Sequence, residues 1–397
     1  MKLKGLTVAT LVLFTGAAHA QSSVTLYGLI DAGVAYTSNV NTSTAIKAGT
    51  NAGGSEYQMI SGLLSTSRWG VRGSEDLGGG LHAVFQLENG FTVNNGAFKN
   101  SVAGNVPDLF GRQAWVGLTS DQYGSVTLGR QYDFIVDYIQ PQSATGVGWG
   151  GNLAAHPFDN DDMDNSMRLN NSIKFSSASF GGVKVGAMYA FSNAAGESGN
   201  DNAYSLGANY SMGPVTLGAG YVQVNRSTNP TYLNTTGAVS TTDNDGISTG
   251  GKMQIWGAAG QYKFGNAQVG LVYTHSVTYN VTSLNYGLSG LTGSYVKFDN
   301  FEINGRYFLR PDLSVSAAYT YTMGGFNSAS SGTVHPNFST VVAQADYSLS
   351  RRVDLYVEGV YQRVSGGGTL FTAQDYNMGA ATGNQQVTVG AGMRFRF

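Results

Sequence analysis

The sequence contains no cysteine. A disulfide framework and any thiolate-held zinc or iron–sulfur centre are thereby excluded. Proline is scarce, with 7 in 397 residues. Charged residues make up only 12% of the chain, about half the usual share. The net charge is −2, which gives no electrostatic footprint for nucleic acid as a partner. Helix-period patterns are missing, because residues at i, i+3 and i+4 rarely agree in polarity. No apolar run approaching ~20 residues follows the first twenty positions, so no membrane helix is expected there. What is present is glycine, 56 residues and about twice its usual share, together with 23 Tyr and 19 Phe. Hydrophobic residues are an ordinary 42%, so the chain is not a disordered one.

The N-terminus reads as an address. Met1-Lys2-Leu3-Lys4 is a basic start, Leu6 to Ala17 is apolar, and Ala18-His19-Ala20 places small residues at a cleavage site. This is a secretory signal pattern, cleaved after residue 20. Lys2 and Lys4 leave with it, so the mature chain has 20 basic against 24 acidic residues, a net charge of −4.

The mature chain, residues 21–397, alternates. Val387, Val389, Ala391, Met393, Phe395 and Phe397 fall on one face of the last segment, and Arg394 and Arg396 on the other. Val24, Leu26, Gly28, Ile30, Ala32 and Val34 alternate with Thr25, Tyr27, Leu29, Asp31 and Gly33 in the first. The period of two recurs at 183–191, 313–321 and 353–361 and predicts strands. Short turns at 76–80, 121–124, 180–182, 212–214, 264–266, 310–312 and 350–352 alternate with long polar connections. The long ones are 38–56, 92–109, 133–166, 194–201, 227–251, 281–294, 326–336 and 365–384. Seven short and eight long connections predict sixteen strands, with both ends of the chain on the short-turn side.

A soluble sandwich also alternates. Here the strands run to roughly 9–15 residues, against a usual ~6. A tilted strand needs about 9–11 residues to cross a bilayer. One face carries almost no charge, and its ends carry aromatic pairs such as Tyr189 and Phe191, or Tyr319 and Tyr321, as interfacial girdles do. In lipid every backbone group needs a partner, so the sheet must close. The expected fold is therefore an all-β, transmembrane sixteen-stranded antiparallel barrel. A barrel of that size holds water.

The inward face predicts the site. Parity places Asp31, Arg68, Arg72, His82, Glu88, Arg112, Arg168, Lys174, Lys184, Glu302, Arg306, Asp346, Glu358 and Arg394 inside. In a wetted channel such charges stay hydrated and shape the field felt by solutes. Arg68, Arg72, Arg112 and Arg168 come from three neighbouring hairpins and are the candidate basic ladder. The connection 133–166 holds six Asp and no Lys or Arg, with Trp149 and a Gly-rich run at 146–151. Loops of that length are usually functional or disordered. Folded into the lumen, its acids would face the ladder. Asp133 and Asp137, with Glu88 and Asp31, are the candidate acidic side. An outward-pointing acidic loop is the alternative.

At these residues a family resemblance enters. Ser22 to Gly28 (SSVTLYG) with Asp31-Ala32-Gly33, and Ser67 to Leu81 (SRWGVRGSEDLGGGL), resemble the general porins of Gram-negative outer membranes, of β-proteobacterial type. Arg112 to Leu118 (RQAWVGL), Gly124 to Gln131 (GSVTLGRQ) and the ending Gly392 to Phe397 (GMRFRF) extend the likeness. The resemblance implies a homotrimer of barrels surrounded by outer-membrane lipid and lipopolysaccharide. Each barrel is narrowed by an infolded third loop and passes ions and small hydrophilic solutes passively. It implies that Phe397 is the terminal aromatic read by the barrel assembly machinery. It places basic constriction residues on strands two, four and six, where Arg68, Arg112 and Arg168 stand. The sequence departs from enteric porins in having Leu29 where they place a lysine. It also lacks their Pro-Glu-Phe-Gly-Gly-Asp stretch in 133–166. The other readings are a solute-specific channel and a plugged adhesin or structural barrel.

Enzymatic chemistry has little footing. The five histidines are scattered without metal-ligand spacing. No Gly-x-Ser-x-Gly elbow stands between a strand and a helix. Gly78-Gly79-Gly80 is a turn, since a phosphate loop needs a following helix. No cofactor is expected.

Overall fold

The computed structural model describes residues 23–42, 53–99, 108–226, 237–239, 248–284, 292–328 and 332–397. The expected signal segment 1–20 lies outside them. Sixteen barrel strands follow one another around a closed antiparallel sheet. They are β1 Ser23–Asn41, β2 in two pieces (Gly53–Ser61 and Arg68–Gly78), β3 Leu81–Phe91, β4 Gln113–Ser120 and β5 Gly124–Gln131. Then come β6 Leu169–Ser177, β7 Val183–Ala190, β8 Asn202–Met212, β9 Val215–Asn225, β10 Lys252–Phe264 and β11 Ala267–Val281. The last five are β12 Gly293–Arg310, β13 Leu313–Ser328, β14 Asn337–Ser348, β15 Val353–Ser365 and β16 Gln385–Arg396. All seven short turns fall between the strands where the sequence places them.

Closure joins the two ends of the chain. β1 pairs with β16 from Leu29–Arg396 to Thr37–Thr388. Phe397 completes the seam: its N–H donates to the Gly28 carbonyl at 3.0 Å, and Gly28 donates back at 3.1 Å. No edge strand is left at this joint, as lipid requires. Burial is inverted relative to a soluble protein. Leu26, Val34, Val116, Leu271, Ile303, Val357 and Met393 are exposed on the outer face, while Thr274, Asn300, Thr320, Gln344 and Thr388 are buried within.

β2 is interrupted, which alternation alone does not reveal. Its first piece pairs with the upper half of β1 (Ala32–Ser61) and its second with the lower half (Leu29–Arg68). Residues 62–67 leave the ladder and turn inward. Asp31 holds them. Gly62 N–H donates to the Asp31 carbonyl at 2.8 Å, and Ser65 N–H donates to Asp31 Oδ2 at 2.9 Å. Asp31 N–H in turn donates to Ser67 Oγ at 3.0 Å.

The connection after β5 lies inside the barrel. A short helix, α1 Phe134–Tyr138, is capped by Asp133, whose Oδ1 accepts from Ile135 N–H at 2.6 Å. The helix packs onto the wall at Gly218 of β9, where a Cβ would meet the Tyr138 carbonyl at 1.7 Å. Only glycine permits that approach. The chain then crosses β11 and β12. Asn304 donates to the Gln142 carbonyl at 2.9 Å, and Ala144 N–H donates to Glu302 Oε1 at 2.9 Å. The tip reaches the interruption of β2. Trp149 is buried among Leu63, Leu64, Ala35 and Tyr356. Asn152 N–H donates to the Leu64 carbonyl at 3.0 Å, and its side chain donates to the Gly62 carbonyl at 2.6 Å.

Candidate functional site

The returning arm of the loop is fastened to β11 and β12 by a buried polar network. His156 Nδ1 meets Asp161 Oδ2 at 2.6 Å, and its Nε2 meets Glu302 Oε2 at 3.0 Å. Asp161 also accepts from Thr274 and from Asn300, and Ser276 donates to Asn160 at 2.8 Å. Burial alone would hold His156 neutral, but the carboxylates of Asp161 and Glu302 raise its pKa to about 10. The imidazolium between two carboxylates is a charged clasp.

The opposite side of the lumen is rich in arginine and meets the returning end of the loop at Asn165. Arg68 opens the second piece of β2, Arg112 precedes β4, and Arg168 precedes β6. Tyr132, just after β5, sits among them. Arg112 donates to its hydroxyl at 2.7 Å and Arg168 at 3.2 Å. The Arg168 guanidinium also lies 5.2 Å from the Tyr132 ring centre. Asn165 Oδ1 accepts from both arginines, at 3.2 and 3.4 Å. Arg112 pairs with Glu88 at 2.7 Å. Among the described residues, no carboxylate lies within ion-pair distance of Arg68.

Between Arg68 and Arg112 of this wall and the loop lies a polar cavity of about 200 Å³, called the passage below. Its wall side is Arg68, Arg112 and Arg394, with Ser65 and Thr66 of the β2 interruption. Its loop side is Gln140, Thr145, Gly146, Gly148, Asp164 and Asn165. The passage therefore joins three guanidinium groups to one carboxylate, Asp164. Arg394 pairs with Asp354 at 3.0 Å, and Arg112 pairs with Glu88, so Arg68 contributes the least compensated charge.

The candidate residues divide accordingly. Arg68, Arg112 and Arg168 lie together. Arg72 stands apart, exposed, with its guanidinium 5.1 Å from the Tyr27 ring centre. The acidic candidates do not form an opposing face. Glu88 belongs to the arginine wall, where it accepts from Arg112 and from Tyr27 at 2.9 Å. Asp31 is buried under the β2 interruption and also accepts from Tyr356 at 2.6 Å. Asp133 is a buried helix cap, and Asp137 pairs with Lys174 at 2.5 Å. Asp31, Asp133 and Asp137 each have a partner outside the ladder, and Glu88 is paired within it.

Asp159 and Asp162 bind the backbone of their own loop. Asp159 accepts from Asp164 N–H at 2.7 Å, and Asp162 accepts from Met167 N–H at 2.7 Å. Burial raises the carboxyls of Asp133 and Asp159 to about 6, and crowding by Asp161 adds to the effect at Asp159. Asp164 is raised too, by burial and then by Asp159. Tyr132, Asn165 and the 62–67 segment join the arginine wall and the loop without being singled out by the sequence. A lone Tyr or Asn at the end of a strand carries no distinguishing pattern.

This geometry has relatives. The Gram-negative porin family model matches residues 6–369. An outer membrane porin protein of Bordetella pertussis is 30% identical over the whole length of both chains. Outer membrane porin protein 32 of Delftia acidovorans is 37% identical over 205 residues, which cover 47% of this chain and 49% of that one. Among solved structures, the anion-selective porin from Comamonas acidovorans superposes with a TM-score of 0.68 at 22% identity, covering 95% of this chain and all of that one. A closed barrel, polar inside and apolar outside, with a full-length porin relative, places this chain in the Gram-negative porin family as a channel of the outer membrane.

Proposed function

We propose that this porin is a general diffusion channel whose narrowest aqueous passage lies between the Arg68–Arg112–Arg168 wall and loop 133–166, and that it favours small anions. One observation carries the reading: the passage sets the guanidinium groups of Arg68, Arg112 and Arg394 against the single carboxylate of Asp164, and Arg168 is joined to Arg112 through Tyr132 and Asn165. A solute of negative charge is attracted there, and a cation meets Arg68 without a compensating acid. The Comamonas acidovorans porin, of like fold, is described as anion-selective, which agrees.

The assembled form is a homotrimer, as the family resemblance implies. An apolar hollow of about 480 Å³ on the outer face of β1, β2, β15 and β16, lined by Val34, Tyr57, Met59 and Val389, offers a surface for a second copy. Residues 1–20 are a cleaved export signal. Phe397 is the assembly signal as well as the closing residue of the seam. The protein has no catalytic role.

The test is the reversal potential of single channels under a salt gradient. Wild-type protein is expected to give the sign of an anion-preferring pore. Replacing Arg68, Arg112 and Arg168 together by Gln is expected to shift the permeability ratio toward cations. An unchanged ratio would mean that this arginine wall does not set the selectivity.

A further inference from the structure

The inner face of the arginine wall continues into the connection 92–109. β4 begins at Gln113, opposite Glu88 of β3. Beyond that level, toward the long loops, a short strand Phe98–Lys99 takes its place and pairs Phe98 with Phe91 and Lys99 with Gly90. On the other flank of β3, Gly90 pairs with Arg68. Residues directly opposite one another in an antiparallel sheet share a face. Arg68, Gly90 and Lys99 therefore form one inward row, and Phe98 alternates outward, where it is exposed. Two strand spacings put the backbone of Lys99 about 10 Å from that of Arg68. The residue between them, Gly90, has no side chain to stand between the two cations.

Lys99 is half-buried on this row. Among the described residues, no carboxylate lies within ion-pair distance of it. The charges that act on it are those of the passage. Burial lowers the pKa of its ammonium, Asp164 opposes that shift, and Arg112 adds to it. Burial and Asp159 raise Asp164 in turn, while Arg112, Arg168 and Lys99 act in the other direction. Lys99 thus belongs electrically with the arginines, although it stands on none of strands two, four and six. A cation with no carboxylate beside it acts through its field on ions that enter the passage.

We propose that Lys99 is a fourth cation of the selectivity wall, which extends the row of Arg68 across Gly90 from the connection between β3 and β4 and strengthens the preference for small anions. The inference deepens the reading of the passage as anion-preferring and rests on it. The Lys99 ammonium acts on the solute itself and not only by balancing Asp164, because Arg112 and Arg168 already oppose the charge of that carboxylate.

The chain has no cysteine, so Lys99→Cys carries a single thiol. The refolded full barrel with this substitution is recorded in bilayers under a salt gradient, before and after reaction with a small aminoethyl or sulfonatoethyl thiosulfonate. Labelling is counted by mass spectrometry. Loss of the ammonium is expected to lower the anion-to-cation permeability ratio roughly twofold. The aminoethyl adduct is expected to restore the wild-type ratio, and the sulfonatoethyl adduct to lower it by roughly a further twofold. The same order is expected in an Asp164→Asn background. A thiol that stays unlabelled in the folded barrel, or labelled channels whose ratio ignores the sign of the adduct, would overturn the inference. So would a shift that disappears with Asp164→Asn, since Lys99 would then be no more than the counter-ion of that acid. The wild-type barrel tests the underlying reading separately. A cation-preferring wild type breaks that reading, whereas an anion-preferring one with an inert position 99 breaks only this inference.

Discussion

The two sides of the lumen use charge in opposite ways. On the side of β8–β13 the polar groups that loop 133–166 covers are engaged by it. Glu302 accepts from Ala144, Asn304 and His156, and Asn300 donates to Asn160. On the side of β2–β6 the arginines face the passage, and only part of their charge is answered. Arg112 and Arg168 are themselves buried, and Arg68 alone of the three is partly exposed. Buried charge fastens the loop on one side, and one partly exposed guanidinium is left to act on solutes on the other. The same residue types serve both ends because a covered ion pair is held by geometry, whereas a hydrated one acts through its field.

The largest expected effect comes from breaking the covered side. Glu302→Leu leaves the His156 imidazolium buried beside a lost partner and strips the acceptor from Ala144 and Asn304. Removing one member of such a pair costs about 3–5 kcal/mol. Detachment of the loop is cheaper than unfolding the barrel, so single-channel conductance should rise and become noisy, with new protease cleavage in 133–166. A conductance equal to wild type would show that the clasp does not position the loop. The pH dependence has a definite sign. The folded pKa of His156 is raised to about 10, so its contribution is complete below the ordinary histidine range and is lost as pH rises through about 10. Alkali beyond that point should reproduce the noise of the variant.

A smaller effect should appear in acid. The carboxyls of Asp133 and Asp159 are raised to about 6, so the stability tied to their protonated forms is present in acid and lost as pH rises through that value. Acid therefore tightens the loop. Asp164, raised likewise, loses the one negative charge facing the arginines. Anion preference, read from reversal potentials, should increase as the pH falls and Asp164 is protonated. A preference that declines in acid would mean that Asp164 does not face the passage.

The barrel is legible in the sequence because its cause is local. A lipid-facing side chain at every second position leaves the same mark in 387–397 as in 24–34. Parity also gathers Arg68, Arg112 and Arg168 on one face, since each is fixed by its own strand. The partners of the loop leave no such mark. Asn160 meets Asn300, Asp161 meets Thr274 and Trp149 meets Leu64 across long stretches of chain, and no period relates them. The partners of the loop acids are hidden for the same reason: counting Asp residues in 133–166 does not show which of them cap their own backbone. The break at 62–67 is hidden because its anchor is a single carboxylate, Asp31.

The smallest effect separates two arginines that the sequence treats alike. Arg68 and Arg72 are on the same strand and the same face, two rows or about 13 Å apart. Arg68 lines the passage, whereas Arg72 rests on Tyr27 toward the short-turn end. Its field reaches the passage through water, where the screening length is about 8 Å at physiological salt and about 3 Å at 1 M. Arg72→Gln should therefore shift the reversal potential less than half as far as Arg68→Gln at physiological salt, and should have no measurable effect at about 1 M. Arg68→Gln should still act there, because an ion in the passage meets the guanidinium at contact, inside the screening length. Equal shifts for the two variants at high salt would mean that the narrow point extends two rows further down β2.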